Sequence, residues 1–549
     1  MTSGPSGAMS SPAPGAARRT LPDLAAVAAL LALVSWYAAS VLDLSRPPEE
    51  DAAMLLRYAQ HMSEGHGIVW NVGEPPLDGA TDFLDLLAVA ALARAGVGLE
   101  WAAKAVGFAA HALCVLVVYG AVRHLARASP AVALVPAVYL AVGPGLRYVS
   151  AGYATTLFTL VAAVGWWVAG TAMAASGATT RGRALALGAC GVAMGMARPE
   201  GALLAVFFLA AVLVARGGAQ AREVVTGFLL AFGTVGLGYF AWRWAHFSHP
   251  LPNPFYRRGG GLLHLDVLAR SARNVLRLGG PFVVVPVVAL FPRQSRRLAI
   301  AVLLPVLLFT ALWVLLSDEA NYYMRYRYPI LPVILVGAAQ AAAMMVSPAV
   351  ALSARRGPRI AVSLGALVLA GVLGLVQHRR LRLIEPQRAG LFDVGVRLAA
   401  YATRGYTLAT TEAGLLPLYS RWRSVDAWGL NDAWIARHGT VTAEYLDRYR
   451  PELVMFHAYF SPESAEDGSR VARRGLGPAW HETVRVLQSY ADERGYELAA
   501  VYAHGPHESH YYYVRPGFPD HAAIVAAVRA GQYYWDGQPA ADVTPAASR

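Results

Sequence analysis

Apolar blocks long enough to cross a lipid bilayer recur along this chain as far as residue 377. Each block is roughly 16–22 residues long, and a helix needs about 20 apolar residues to cross the hydrocarbon core. The blocks are 21–42, 103–122, 130–148, 155–175, 183–197, 200–215, 224–245, 277–292, 298–316, 327–346 and 359–377. Only 15% of the residues are charged, against about a quarter in soluble proteins. The sequence therefore predicts a polytopic α-helical membrane protein of about 11 spans.

Short basic clusters separate these blocks. They are Arg18–Arg19, Arg123 with Arg127, Arg181 with Arg183, Arg293 with Arg296–Arg297, and Arg355–Arg356. Cytoplasmic loops of membrane proteins carry this bias, so the net charge of +12 indicates topology rather than nucleic-acid binding. We predict a disordered cytoplasmic N-terminus over residues 1–20. Cys114 and Cys190 lie inside apolar blocks and indicate neither a disulfide framework nor a metal site.

Block 82–97 is ambiguous because it is short and carries Asp82, Asp85 and Arg94, which are costly at the middle of a membrane. A re-entrant or interfacial helix here keeps the basic clusters in the cytoplasm. This topology predicts a transmembrane domain over 21–379 and an extracytoplasmic C-terminus. The segments then predicted outside are 43–81, 198–200, 246–275 and 317–328. They hold most of the chemically interesting residues, so function is predicted on the outer face.

Short alternating runs replace the apolar blocks after residue 380. The predicted strands are Tyr406–Thr410, Leu453–His457, Leu498–Ala503 and Tyr511–Val514, and the predicted helices are Val441–Tyr449, Ala479–Gly495 and Pro519–Ala530. Alternating strands and helices are typical of an α/β fold. We predict an extracytoplasmic α/β domain over 380–538 and a disordered tail over 539–549.

Two adjacent acids open the first predicted outside loop. Glu50 and Asp51 follow Pro47–Pro48 and begin an amphipathic segment, where a helix N-terminus favours negative charge. An acid fixed there, one to two turns before Arg57 and Tyr58, could act as a general base toward a hydroxyl group. The ordinary alternative is a solvated helix end. A Gly-rich run with His66, Trp70 and Asn71 follows, which could be a sugar subsite or an ordinary tight loop.

Arginine and tyrosine are concentrated in three other predicted outside segments, against the usual charge bias. Arg198 lies between two short apolar blocks, Arg257 and Arg258 follow a Pro-rich run, and Tyr322, Tyr323, Arg325 and Arg327 occur together. A phosphate ligand would explain them, because Arg presents forked donors to phosphate oxygens and Tyr adds a neutral donor. An ion pair between Arg198 and Glu200, or an aromatic belt with snorkelling Arg, is the alternative.

Three histidines near the C-terminus, His504, His507 and His510, invite comparison with a metal site. Their spacing fits neither a helical ligand pair nor a zinc-finger pattern. A polar loop is the favoured interpretation, no metal ligand is assigned, and a divalent cofactor is left open.

These segments together resemble the GT-C class of polytopic glycosyltransferases, and within it the family of the actinobacterial terminal arabinofuranosyltransferase. The matching motifs are Glu50-Asp51-Ala52, Arg57-Tyr58-Ala59, Glu64-Gly65-His66-Gly67, Asn71-Val72-Gly73-Glu74, Arg198-Pro199-Glu200-Gly201, Leu251-Pro252-Asn253-Pro254-Phe255-Tyr256, Arg325-Tyr326-Arg327-Tyr328-Pro329, Thr411-Glu412-Ala413-Gly414 and Val425-Asp426-Ala427-Trp428-Gly429-Leu430-Asn431-Asp432. They occur in the family's order from about residue 50 to 435.

The resemblance implies an inverting glycosyltransferase that uses a polyprenyl-phosphate sugar at the outer face of a bacterial plasma membrane. Asp51 or Glu50 would be the base, and the arginines and tyrosines above would bind the donor phosphate. The acceptor, a cell-envelope glycan or glycolipid, and the sugar would contact a set of residues in the first loop and the C-terminal domain. That set is Arg57, Tyr58, His66, Trp70, Asn71, Asp82, Glu412 and Asn431. Arabinofuranose is the favoured sugar, with mannose or another hexose next.

Departures from the family pattern keep other functions open. The first acid is Glu50 instead of Asp, the motif around Asp82 loses two aromatic residues, and Ala154 stands where the family has Glu. A catalytically degenerate, glycan-binding homologue is one alternative. A transporter of lipid-linked sugars is another, although neither polar residues within the spans nor an internal repeat clearly supports it.

Overall fold

The structure is a computed structural model. It describes residues 14–41, 43, 45–258, 262–316, 318, 321–346, 356–382, 390–461, 477–505, 508–535 and 538–544. These residues form a helical domain followed by a small α/β domain. Most of the predicted N-terminal segment and the end of the predicted tail lie outside the described residues. The first helix begins at Pro14, inside the segment predicted to be disordered.

The first domain is entirely helical. Its helices are α1 (Pro14–Val41), α2 (Glu50–Ser63), α3 (Phe83–Arg94), α4 (Leu99–Leu125), α5 (Pro130–Ala141), α6 (Gly145–Ala151), α7 (Thr155–Ala174), α8 (Ala178–Ala197), α9 (Pro199–Arg216), α10 (Ala221–Phe247), α11 (Asn253–Arg257), α12 (Asp266–Gly279), α13 (Val284–Val288), α14 (Arg293–Leu316), α15 (Leu331–Met345) and α16 (Arg356–Arg382). Short 3-10 turns occupy Gly280–Val283, Tyr322–Met324 and Tyr328–Ile330. Nine helical segments in the described part of the chain are long and apolar enough to cross a membrane.

The segments 183–197 and 277–292 are the two predicted spans that are not among these nine. The first lies in α8, which begins beside the end of α9: the Thr180 hydroxyl donates to Gln220 across 3.0 Å. Because α8 and α9 are joined only through Arg198, they form an antiparallel pair. α8 thus crosses the helical domain although its composition is less apolar.

The second segment is broken into short pieces. Gly280, with φ of +51°, ends α12, and a 3-10 turn leads into α13. The pieces follow α14 in the antiparallel direction, since the His264 N–H donates to the Val314 carbonyl at one end and the Ser295 hydroxyl donates to the Ala289 carbonyl at the other, both across 2.8 Å. A glycine break therefore replaces the predicted continuous span.

Helix α3 accounts for the ambiguous block. Its 12 residues reach only about 18 Å at the ordinary rise of an α-helix, well short of the ~30 Å hydrocarbon core. The short helix is confirmed, and its re-entrant or interfacial position stays a prediction.

The C-terminal domain is built on a mixed sheet. Its strands are β1 (Thr407–Thr410), β2 (Arg423–Asp426), β3 (Leu453–Ala458), β4 (Glu497–His504), β5 (Glu508–Val514), β6 (Tyr534–Trp535), β7 (Gln538–Pro539) and β8 (Ala541–Asp542). Its helices are α17 (Gly390–Leu398), α18 (Leu415–Ser420), α19 (Ala433–His438), α20 (Ala443–Tyr449), α21 (Pro478–Glu493) and α22 (His521–Arg529), with a 3-10 turn at Ala399–Arg404. The main sheet has the order β2-β1-β3-β5-β4-β8, and the first three strands are parallel.

The predicted α/β fold is confirmed, although several of its shorter elements were not predicted. Strand β2 was not predicted, because its four residues carry no alternating pattern. The tail over 539–544 is ordered in part, since Tyr502 on β4 pairs with Asp542 on β8. Cross-strand pairing at a sheet edge holds this segment, and composition does not reveal it.

One hydrophobic core joins the two domains. Leu56 of α2 and Phe83 of α3 belong to the same buried cluster as Leu408 of β1 and Leu416 of α18. The start of α2, which carries the two candidate acids, is therefore held between the helices and the sheet.

Candidate active site

A cavity of about 470 Å³ lies where the helical domain meets the C-terminal domain. Seven stretches that are far apart in sequence contribute to its wall, namely the start of α2, the 79–82 loop, the 152–155 segment, the α8–α9 junction, the 251–258 segment, the 313–326 segment and the turn at 430–431. Polar and charged side chains among the lining residues are Asp51, Thr81, Asp82, Thr155, Arg198, Glu200, Arg258, Arg325, Tyr326 and Asn431. This volume and this mixture of apolar wall and convergent polar groups are typical of small-molecule sites.

Asp51 lies in the cavity wall, in the first turn of α2. Its carboxylate is ion-paired with the Arg325 guanidinium, which also lies 4.2 Å from the centre of the Tyr153 ring. These side chains come from three separate segments, so the pair forms only in the folded protein. The structure brings together the two groups on which the predicted site most depends.

Glu50 has a different place from its neighbour. Its carboxylate accepts hydrogen bonds from the backbone N–H groups of Gly414 and of Leu415, the latter across 2.9 Å. Burial, and then the nearby Glu412 carboxylate, raise the pKa of Glu50 to about 8. A side chain at position 414 would overlap the Glu50 backbone, so only glycine allows this contact. Glu50 therefore docks the C-terminal domain, and Asp51 is the acid that faces the cavity.

Two of the predicted phosphate-binding arginines meet at one hydroxyl group. Arg258 donates to the Tyr326 hydroxyl across 3.0 Å, and Arg325 donates to the same oxygen across 3.3 Å. The Trp313 ring stacks on the Tyr326 ring, with 4.7 Å between the ring centres and an angle of 4° between the ring planes. An oxygen atom that accepts hydrogen bonds from two guanidinium groups marks a position where an anion would be stabilised.

Arg198 is a third cation in the cavity wall, 5.2 Å from the centre of the Tyr326 ring. It forms ion pairs with Asp82 at 3.0 Å and with Glu200 at 2.5 Å. Both the phosphate interpretation and the Glu200 ion pair considered from the sequence are therefore compatible with its position.

Four other residues assigned to phosphate binding lie outside the set of lining residues. Arg327 is fully buried and bonded to Ser271 at 3.0 Å and to Asp318 at 3.1 Å. Arg257 stacks on the Trp428 ring at 3.4 Å and donates to the Trp428 carbonyl. The Tyr323 hydroxyl donates to Glu49 across 3.4 Å, and Tyr322 is half-exposed. These contacts stabilise the fold around the cavity.

The first-loop residues assigned to acceptor or sugar binding mostly attach the loop to the C-terminal domain. Arg57 donates to the carbonyls of Trp70 and Trp422 and to the Asn71 side chain, at 2.8–3.1 Å. The Asn71 side chain and the Trp70 indole each donate to the Ser424 carbonyl across 3.0 Å, and the Tyr58 hydroxyl donates to the Asn431 amide oxygen across 3.1 Å. His66 is exposed on its loop. Of the predicted acceptor set, the cavity wall contains Asp82 and Asn431.

Sequence reasoning missed two residues at this site. Tyr326 was passed over although it lies between two arginines of the same motif. The Asn253 amide donates to the carbonyls of Gly429 and Leu430, each across 2.9 Å, and so ties the 251–258 segment to the turn beside the cavity. Buried amide groups usually have a hydrogen-bond partner. The signal available in the sequence was an amide side chain within the Pro-rich run.

The histidines also differ from the prediction. His504 and His510 lie on β4 and β5 rather than in a polar loop, and His507 lies outside the described residues. His510 is close to His457 and Glu412, which are distant from it in sequence.

Comparison with known proteins places the fold. The chain resembles ArnT from Cupriavidus metallidurans in the apo state at a TM-score of 0.55 and 14% identity, over 88% of this chain and 97% of that chain. ArnT bound to undecaprenyl phosphate gives 0.54 over the same shares, also at 14% identity. The chain has a GT-C-like fold with a C-terminal α/β domain.

Other comparisons are less informative. The arabinofuranosyltransferase AftD from Mycobacteria gives a TM-score of 0.47 at 15% identity, over 91% of this chain and 40% of that chain, which is too low to inform the choice of sugar. Residues 378–523 match a family described as a domain of unknown function, DUF8728. Among the curated proteins, none matches this sequence.

Proposed function

We propose that this protein is a glycosyltransferase that moves a sugar from a polyprenyl-phosphate donor to an acceptor hydroxyl group. The observation that carries the proposal is the convergence of Asp51, Arg258 and Arg325 in one cavity. This reaction needs a general base for the acceptor hydroxyl and cationic hydrogen-bond donors for the departing phosphate. The GT-C fold and the binding of undecaprenyl phosphate by ArnT support the same reading.

Asp51 is the general base in this proposal. It takes the proton from the acceptor hydroxyl while that oxygen attacks the anomeric carbon of the donor sugar. The bond between this carbon and the phosphate oxygen breaks, and its electron pair leaves with the polyprenyl phosphate. A single displacement inverts the configuration at the anomeric carbon.

Arg258 and Arg325 stabilise the charge that develops on the departing phosphate. In the structure, Arg325 is paired with Asp51 and shares the Tyr326 hydroxyl with Arg258. A donor phosphate at this hydroxyl would draw Arg325 away from Asp51. Donor binding would then release the base, and this order of events prevents proton abstraction before the donor is in place.

The finer assignments follow from the family resemblance. Arabinofuranose is the sugar that we propose, with mannose or another hexose as the alternative, and the acceptor is a cell-envelope glycan or glycolipid outside a bacterial plasma membrane. Ala154, where the family has Glu, lies in the wall of the same cavity as Asp82 and Arg198. This departure therefore falls where the sugar or acceptor would bind, and supports altered specificity.

Substitution Asp51→Asn tests the proposal. General-base catalysis contributes about 10²–10⁴-fold, so the transfer rate should fall by that factor while the protein stays folded. The assay uses proteoliposomes, a panel of radiolabelled polyprenyl-phosphate sugars and cell-envelope glycan acceptors.

Glu64→Gln at the other end of α2 is the matched control, because Glu64 forms a surface ion pair with Arg421 away from the cavity. Wild-type transfer by Asp51→Asn would overturn the assignment of the base. Labelled donor that crosses the bilayer without transfer would favour a transporter, and donor binding with neither outcome would favour a degenerate homologue.

A further inference from the structure

A second group of chemically capable side chains lies within the C-terminal sheet. His457 on β3 and His510 on β5 stand directly opposite each other in antiparallel register, which places both side chains on one face of the sheet. Their rings are 4.7 Å apart and nearly perpendicular. Glu412 follows β1 and places a carboxylate oxygen 3.1 Å from Nδ1 of His457. The candidate ligand atoms of the three residues all lie within 4.8 Å of one another.

These distances suit a small cation. Zinc bonds of about 2.0–2.1 Å at the tetrahedral angle hold neighbouring ligand atoms about 3.3 Å apart. The Glu412–His457 separation of 3.1 Å is already close to this value. His510 has to approach by at most about 1.5 Å, the difference between 4.8 Å and that spacing. Rotation about side-chain torsion angles covers such a distance without a backbone shift.

The surroundings of His510 also fit a ligand. Nδ1 of His510 is hydrogen-bonded to the Tyr533 hydroxyl, which is 2.9 Å from the Tyr512 hydroxyl. A bond of this type from an outer residue fixes the ring orientation of metal-bound histidines. A plain Glu412–His457 hydrogen bond would explain one pair of residues, but it gives no reason for a second, buried histidine held beside that pair.

We propose that Glu412, His457 and His510 form a binding site for a divalent cation, zinc in preference to calcium or magnesium. Two imidazoles and one carboxylate are donors that zinc favours, whereas calcium and magnesium prefer oxygen ligands alone. With three protein ligands, a fourth position remains for water or a substrate group.

The site has a structural consequence for the rest of the molecule. Glu412 belongs to the turn whose Gly414 N–H holds the Glu50 carboxylate. A cation bound by Glu412 would fix this turn against β3 and β5, and so would stabilise the docking of the sheet on α2. The proposal does not depend on the transferase reaction, because it concerns metal binding and docking alone.

Metal titration of the full chain tests the proposal. Protein purified in detergent with a tag that lacks histidine is stripped with a chelator and titrated with Zn²⁺, and with Co²⁺, whose visible absorption reports tetrahedral coordination. One equivalent should bind and raise the midpoint of thermal unfolding. His457→Ala and His510→Ala should weaken binding at least about tenfold and remove the thermal shift.

His504→Ala is the matched control, since it removes a histidine from the neighbouring strand β4 that is not one of the three ligands. If His510→Ala fails to fold, Glu412→Gln and His457→Asn decide, because both side chains are only partly buried. Absence of stoichiometric zinc in the wild-type protein would overturn the proposal, as would equal affinity in the wild type and the His457 variant. Metal content and thermal midpoint are independent of transfer, so failure of the transferase proposal would leave this result unchanged.

Discussion

Replacement of Glu50 by Ala separates the roles of the two adjacent acids. Glu50 supplies the acceptors for two backbone N–H groups, those of Gly414 and Leu415, at the contact between α2 and the C-terminal domain. The substitution removes both acceptors and leaves both donors buried in the interface. We therefore expect Glu50→Ala to weaken the docking of the domain rather than to act on catalysis directly.

The size of this effect follows from the two lost hydrogen bonds. A buried backbone donor left without a partner costs about 1–3 kcal/mol, so two donors cost about 2–6 kcal/mol. One kcal/mol shifts the unfolding midpoint of a domain of ~150–250 residues by about 2–4 °C. The midpoint for unfolding of the C-terminal domain should therefore fall by roughly 4 °C or more.

Tryptophan fluorescence follows this transition in the detergent-solubilised full chain, because Trp422, Trp428 and Trp480 are all buried in the domain. Glu64→Ala is the control, since its ion pair with Arg421 is largely exposed and such pairs contribute at most about 1 kcal/mol. If Glu50→Ala unfolds at the wild-type temperature, the docking role is refuted. Loss of transfer with unchanged stability would instead return Glu50 to the list of candidate bases.

Three further predictions concern the same region. Glu50→Gln should remove a fall in stability between about pH 4.5 and pH 8, because a raised pKa means that the folded state binds the extra proton in this window, and a pH series of unfolding midpoints measures the difference from wild type. Asn253→Ala leaves the Gly429 and Leu430 carbonyls without the amide donor, which should cost about 1–3 kcal/mol in the free energy of unfolding. An unchanged midpoint of thermal unfolding would show that Asn253 does not hold the 251–258 segment against this turn. Tyr326→Phe keeps the ring on Trp313 and should raise the donor KM about 3- to 10-fold, as loss of a hydrogen bond worth ~1 kcal/mol implies; a wild-type KM would place the phosphate elsewhere.

The elements with strong periodic signals are those that the sequence predicts well. Long apolar blocks mark the spans, and alternating runs mark β1, β3, β4 and β5, because burial in lipid or in a sheet imposes these patterns directly. α8 and the broken α12–α13 stretch give weaker signals, because exposed arginines, such as Arg181 and Arg183 on α8 and Arg270 and Arg277 on α12, interrupt their apolar residues.

Side-chain roles are less predictable than elements. Both Glu50 and Asp51 open α2, yet one helical step of about 100° turns one toward the C-terminal domain and the other toward the cavity. The Glu412, His457 and His510 group is invisible to spacing rules, because strand register brings together residues that are far apart in sequence. Arg327 shares a motif with Arg325, but only the fold shows that Asp318 neutralises it away from the cavity.

A structure of the protein in a lipid nanodisc with bound polyprenyl phosphate is the most direct test of the central claim. The account predicts phosphate oxygens within hydrogen-bond distance of Arg258 and Arg325, beside the Tyr326 hydroxyl, with the Asp51 carboxylate released from Arg325. A phosphate bound elsewhere, with the Asp51–Arg325 ion pair intact, would contradict it.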